Sequence, residues 1–226
     1  LTKSLWSVVV SIVWLIKKSM NFDLIYINTF KSVFLGLPVA IISRKRAVVH
    51  VRDILSISSH SSIALFLFTL LIKIKSPQIV VNSNASKAAL IGLGIKKELM
   101  SVIYNGFDEN SFPIYRADNK NSYPIKIGVF SRITRWKGQH IALKALAELN
   151  RSEFELYLVG ACHQSDKRYL ASLIEFKEAN SITNLKILGH VEDPFSIMTA
   201  MDIVLLPSIE PEPFGRVIVE AMFLKK

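Results

Sequence analysis

Cysteine is almost absent from this chain. A single Cys162 in 226 residues excludes an internal disulfide, and no Cys/His grouping has the spacing of a zinc site. A reducing compartment is therefore expected, and the fold must rest on a hydrophobic core. The 50% hydrophobic composition is ample for one. Also missing is any apolar run long enough to cross a bilayer, which takes about 20 residues. The two longest candidates are Leu5–Ile16, flanked by Lys3 and Lys17-Lys18, and Ile63–Ile72, followed by Lys73 and Lys75. Internal repeats, low-complexity tracts and recognised nucleic-acid modules are absent as well.

Acidic residues are scarce in one half only. Residues 1–112 hold 13 Lys/Arg against 5 Asp/Glu, net +8, whereas residues 113–226 hold 15 against 13, net +2. Such asymmetry fits an acidic partner for the first half, and an anionic membrane surface or phosphorylated lipid fits better than nucleic acid. Both apolar stretches read as helices packed on a sheet. Interfacial attachment is the competing reading, because Trp6, Trp14, Phe66 and Phe68 with flanking lysines suit it. The expected location is cytoplasmic, peripheral on the inner face of the membrane.

Strand and helix signals alternate along the chain. Strands are expected at 23–27, 47–51, 78–81 and 100–103, with a helix at 31–43 despite Gly36 and Pro38 and an N-cap signal at Asn82-Ser-Asn-Ala. Residues 107–123 lose periodicity and gather Asp, Asn, Ser and Pro, as a linker does. Strands at 125–130, 154–159, 185–188 and 203–206 then alternate with helices near 138–150, 166–179 and 194–201. The expectation is an α/β chain with two doubly wound Rossmann-like domains, 1–106 and 124–226.

Near the end, Ile203–Leu206 reads as a buried parallel strand that leads into Glu210-Pro-Glu-Pro-Phe-Gly-Arg216. Pro211 and Pro213 block helix, Gly215 allows close backbone approach, and a helix resumes at Arg216. A stiff loop feeding a helix N-terminus suits an anion. Glu212 and Glu220 frame it, and carboxylates repel phosphate but accept from hydroxyls, so a nucleotide-sugar fits better than bare phosphate. Upstream, the 125–130 strand turns through Ser131-Arg132-Ile133 to Lys137-Gly138 and an amphipathic helix. Arg132 and Lys137 thus share one loop at a strand's carboxyl end, a planar fork and a mobile charge for phosphate oxygens.

These motifs together resemble retaining glycosyltransferases of family 4, which have the GT-B fold of two Rossmann-like domains facing a cleft. Glu212-Pro-Phe-Gly-x-x-x-x-Glu220-Ala221 is similar to that family's signature, as is Arg132 with Lys137-Gly138, although the family usually has Gly where this chain has Ser131. Tyr104-Asn-Gly-Phe-Asp108 resembles the family's turn into its linker. The resemblance implies a nucleotide-sugar donor, a saccharide or lipid-linked acceptor, a role in bacterial surface polysaccharide synthesis, and no metal or other cofactor. It also implies that the first strand with its Gly-rich loop and the closing C-terminal elements are missing, so the fold is incomplete at both termini.

By the same resemblance Glu212 lies by the transferred sugar, Glu220 holds the ribose, and Arg132 and Lys137 neutralise the diphosphate. Gly138, Phe214 and Gly215 complete the donor loops. His50, near the carboxyl end of its strand and just before Arg52-Asp53, is the catalytic-side candidate of the first half; pairing with a neighbouring carbonyl or Asp53 is the structural alternative. His190, in Leu188-Gly-His-Val191, is placed beside the nucleobase. The competing function is a non-catalytic, truncated GT-B fragment that binds a membrane surface or a partner.

Overall fold

The computed structural model describes residues 2–57, 60–108, 123–149 and 153–226. The chain forms two units, 1–105 with Glu212–Phe214, and Gly106–Pro211 with Gly215–Lys226. Of the linker expected at 107–123, residues 109–122 lie outside the described residues.

The first unit carries helix α1 (Thr2–Ser19), β1 (Leu24–Ile27), α2 (Phe30–Ile42), β2 (Arg46–Val51), α3 (Ser62–Lys75), β3 (Gln78–Val81), α4 (Asn84–Gly92) and β4 (Met100–Val102). Its strands are parallel and stand in the order β1-β2-β3-β4. Each right-handed crossover moves one place along the sheet, which sends α2, α3 and α4 back over the same face. Val33, Leu37, Phe68, Ile72 and Leu90 accordingly share one core with Val49, Val51, Ile79 and Val81. Side chains alternate across a strand, so Val48, His50 and Val80 point to the other face, where they are half-buried. Local signals set the helix starts. Thr29 accepts from the Ser32 N–H in a capping box, and Ser83, within the expected cap segment, accepts from the Ser86 N–H.

One expectation needs correction here. Phe68, grouped with aromatics free to meet a membrane, is fully buried, while Phe66 is exposed. The helix is apolar on both sides, so periodicity could not choose its inner face. Helix α1 has its main contact with α2, and its Leu15, Lys18 and Ser19 line one cavity with Leu24 and Ile25 of β1.

The second unit carries β5 (Ile125–Phe130), α5 (Gln139–Glu148), β6 (Phe154–Val159), α6 (Lys167–Ala179), β7 (Leu185–Gly189), α7 (Pro194–Thr199), β8 (Ile203–Val204) and α8 (Arg216–Phe223). Its strands are parallel in the order β7-β6-β5-β8. From β5 the chain winds outward to β6 and β7, then returns to the far side of β5, so the direction of winding reverses between β5 and β8. Helices therefore cover both faces. Val129 and Leu158 meet α5 and α6 on one side, and their neighbours Phe130 and Val159 meet Met198, Ala221 and Leu224 on the other. The strand expected at 203–206 is shorter and less buried than its apolar run implied. Only Ile203 and Val204 pair, with Ile127 and Gly128, and Ile203 is 42% exposed. Among the described residues β8 has a hydrogen-bonded neighbour on one side alone, which leaves its outer edge open.

Candidate functional site

Open parallel sheets bind ligands beyond the carboxyl ends of their strands, where the winding direction reverses. In the second unit that place is the gap between β5 and β8, and the loops leaving these strands carry most of the residues singled out above. They touch backbone to backbone. Gly138 has φ +73°, and a Cβ placed on it would lie 1.8 Å from the Pro207 carbonyl oxygen. Close by, the Ile209 N–H donates to the Trp136 carbonyl at 2.9 Å. A side chain at position 138 would thus be opposed twice, by conformation and by space. On the other flank, a Cβ on Gly160 would meet the Ser131 carbonyl oxygen at 2.0 Å, which brings the end of β6 equally close.

The loop bearing Arg132 is pinned from inside. Gln139, the first residue of α5, is 1% exposed; its Nε2 donates to the Arg132 carbonyl at 2.8 Å and to Ser131 Oγ at 3.0 Å. The Tyr169 hydroxyl on α6 donates to Gln139 Oε1 at 3.3 Å and accepts from the His140 N–H at 3.0 Å. Ser131, where a glycine was expected, uses its hydroxyl to satisfy this buried amide. The Arg132 side chain is exposed. Lys137 Nζ lies 4.0 Å from the centroid of the Trp136 ring, within cation–π range.

Helix α8 starts at Gly215, which is left-handed at φ 75°. One turn later Glu220 Oε1 lies 3.3 Å from Arg216 Nε, and the Glu220 side chain is only 16% exposed. The Arg216 guanidinium in turn stands 5.2 Å from the Phe107 ring centroid. His190 is exposed and follows β7; the Gly189 carbonyl before it accepts from the Gly160 N–H at 2.7 Å. Arg132, Lys137, Gly138, His190, Gly215 and Glu220 all belong to the second unit, whereas Glu212 and Phe214 group with the first, as does His50.

His50 sits on β2 with Nδ1 2.6 Å from the Tyr26 hydroxyl of β1, rather than paired to Asp53. Its Nε2 is buried without a hydrogen-bond partner. Burial, and then the nearby Arg52 charge, lower its pKa below the ordinary histidine value. A neutral ring accepting from Tyr26 at Nδ1 keeps its hydrogen on Nε2.

Sequence reasoning missed Gln139, Tyr169, Trp136 and Tyr26. Gln139 alone left a trace. It occupies the inward stripe of α5 with Ala142, Leu143 and Leu146, and a polar residue in an apolar stripe is a sign of a buried hydrogen-bonding task.

The family model described as glycosyl transferases group 1 matches residues 112–226, the half that carries this switch point. The chain belongs to that family. A second model, described as Glycosyltransferase Family 4, matches residues 3–111. Among solved structures, Anabaena Alr3699/HepE, crystallised with UDP and glucose, is 34% identical over 95% of this chain, with a TM-score of 0.86. The same protein has also been solved with UDP-glucose. A glycosyltransferase from Rickettsia africae shares the fold at 20% identity, with 98% of this chain covered and a TM-score of 0.81. An uncharacterised protein of the cps region of Klebsiella pneumoniae is 34% identical over 74% of the chain. The chain spans 60% of the length of the HepE chain, 61% of the Rickettsia one and 42% of the Klebsiella protein. Its two Rossmann-like parts are those of the GT-B glycosyltransferases.

Proposed function

We propose that this glycosyltransferase chain takes a nucleotide-sugar as donor and moves the sugar, with retention, to a saccharide or lipid-linked acceptor in the synthesis of a bacterial surface polysaccharide. The observation that carries the reading is the contact of Gly138 with Pro207. It sets the Arg132–Lys137 loop against the loop leaving β8, at the reversal of winding. Likeness to HepE, solved with UDP-glucose, supports UDP as the first nucleotide to test. The cps-region relative supports the polysaccharide role.

On this reading Arg132 and Lys137 meet the diphosphate, and the N-terminus of α8 adds unsatisfied N–H groups. Charge develops on the leaving diphosphate as the glycosidic bond breaks, and these fixed cations offset it, in place of a metal ion. Glu220, an acceptor-only group, takes the ribose hydroxyls, and Glu212 orients the transferred sugar. His50, with Nδ1 held by Tyr26 and Nε2 buried, presents no open ring nitrogen to an acceptor hydroxyl.

Calorimetric titration with UDP, and then UDP-sugars, tests this. Binding is expected, and Arg132→Ala should weaken it by more than about 1.5 kcal/mol, the scale of a charged hydrogen bond. Glu220→Gln should likewise weaken free UDP, whereas Glu212→Gln should spare UDP affinity and lower turnover of the active enzyme. No binding of any nucleoside diphosphate at millimolar concentration would sink the donor site. Equal effects of the two glutamate changes on UDP would sink the division of roles.

A further inference from the structure

A cleft between α5 and α6 gathers positive charge that the donor site does not use. Its volume of about 180 Å³ is below the roughly 300–1,000 Å³ of sites for drug-sized ligands, so only a small molecule fits. The buried side chains of Leu143 and Leu173 form the floor, with half-buried Phe176 beside them. His140 and Tyr169 line it next, with the imidazole Nδ1 3.0 Å from the phenol oxygen. Arg135, Lys144 and Ser172 stand at the exposed rim.

The basic groups converge. After burial, the charges of Arg135 and Lys144 lower the pKa of His140, which requires both cations to lie near the imidazole. Acidic residues are not scarce in this half, with 13 against 15 Lys/Arg over residues 113–226, yet none lines the cleft. Lys186 pairs with Glu155 and Arg216 with Glu220, whereas among the described residues Arg135 and Lys144 have no ion pair. Like charges held around one cavity repel, and an anion between them removes that repulsion.

The donors select the anion. The Tyr169 hydroxyl gives its proton to Gln139 Oε1 at 3.3 Å, and Ser172 gives its own to the Tyr169 carbonyl at 2.7 Å. Arg135 and Lys144 therefore remain, a planar fork and a point charge, with His140 as a third cation when protonated. A phosphate monoester carries about −1.5 to −2 at pH 7 and has three terminal oxygens, enough to serve both fixed cations at once. A carboxylate has one charge and two oxygens. The apolar floor offers nothing to bare phosphate but covers the organic part of an ester.

We propose that the α5–α6 cleft binds a small organic phosphate monoester, its phosphate between Arg135 and Lys144 and its apolar body against Leu143, Leu173 and Phe176. Arg132 and Lys137 lie outside the cleft, so it stands or falls separately from the donor site.

NMR titration of the isotope-labelled full chain with phenyl phosphate tests it. Amides of residues 140–144 and 169–176 should shift and saturate at millimolar concentration. Inorganic phosphate should act on the same amides at least about fivefold more weakly, since it leaves the floor uncovered. Benzoate should also be weaker, for want of charge and oxygens. Arg135→Gln with Lys144→Gln should weaken phenyl phosphate at least about tenfold, and Arg132→Ala should leave these shifts as in the wild type. If the double variant loses the wild-type amide spectrum, Lys144→Gln alone replaces it, with a smaller loss expected. The proposal is overturned by no saturable shift at these amides up to about 10 mM, or by benzoate binding as tightly as phenyl phosphate. Wild-type affinity in the folded charge variant overturns it too, as do shifts confined to residues 131–138 and 207–216, which would place the phosphate in the donor loops.

Discussion

At the scale of single residues, the histidines give a prediction whose sign follows from burial. His50 has a lowered pKa through burial first and Arg52 second, and His140 shifts the same way through burial, then Arg135 and Lys144. Near the unfolded value of about 6.5, the unfolded chain then binds more protons than the folded one. A state that binds fewer protons loses stability as pH falls, so this contribution is present above about pH 6.5 and erodes below it. The urea midpoint should drop between pH 7.5 and 5.8, and His50→Gln with His140→Gln should flatten the drop. An unchanged slope in that double variant would mean that neither imidazole resists protonation. The same scale shows what a sequence conceals. His50 was legible as a strand-end histidine, but its partner Tyr26 lies 24 positions earlier on a neighbouring strand, and no local spacing ties the two.

At the scale of elements, the decisive contact is between loops. Gly138 was legible as part of a Lys-Gly pair, and the strands and helices on either side fell where periodicity put them. Its need for glycine was not legible, because the obstacle is the Pro207 carbonyl, brought close by the return of the chain to the far side of β5. Gln139 and Tyr169 escaped for a like reason: their hydrogen bonds join segments about 30 residues apart, while periodicity reports only which face is inward. Gly138→Ala should force the 135–138 turn away from the loop after β8. A left-handed residue costs about 1–2 kcal/mol for alanine, before the clash is counted. We expect a clear fall in melting temperature together with weaker UDP binding. Gln139→Leu should act more mildly, leaving the Arg132 carbonyl and Ser131 hydroxyl without their buried donor, at about 1–3 kcal/mol. Should Gly138→Ala keep both wild-type stability and UDP affinity, the two loops do not meet as described.

At the scale of the whole molecule, the two units are built differently for different work. The first winds one way through its four strands, keeps one core, and holds most of the net positive charge; the second reverses its winding and has a core on each face of its sheet. The alternation that revealed both is the same, so composition and charge, rather than periodicity, carried the distinction in the sequence. Free nucleotide should then report on one unit only. Arg132, Lys137, Gly215 and Glu220 belong to the second, and a ligand that binds only the folded form slows exchange through opening by the factor 1 + [L]/Kd. With UDP at about one hundred times its Kd, amides of β5 and β6 that exchange by opening of that unit should slow by about a hundredfold, or about 2.7 kcal/mol. Amides of β2 and β3 should exchange as before. Equal slowing in both sheets would mean that the nucleotide is held by both units, or that they open together, and either result would refute a donor site built on the second unit alone.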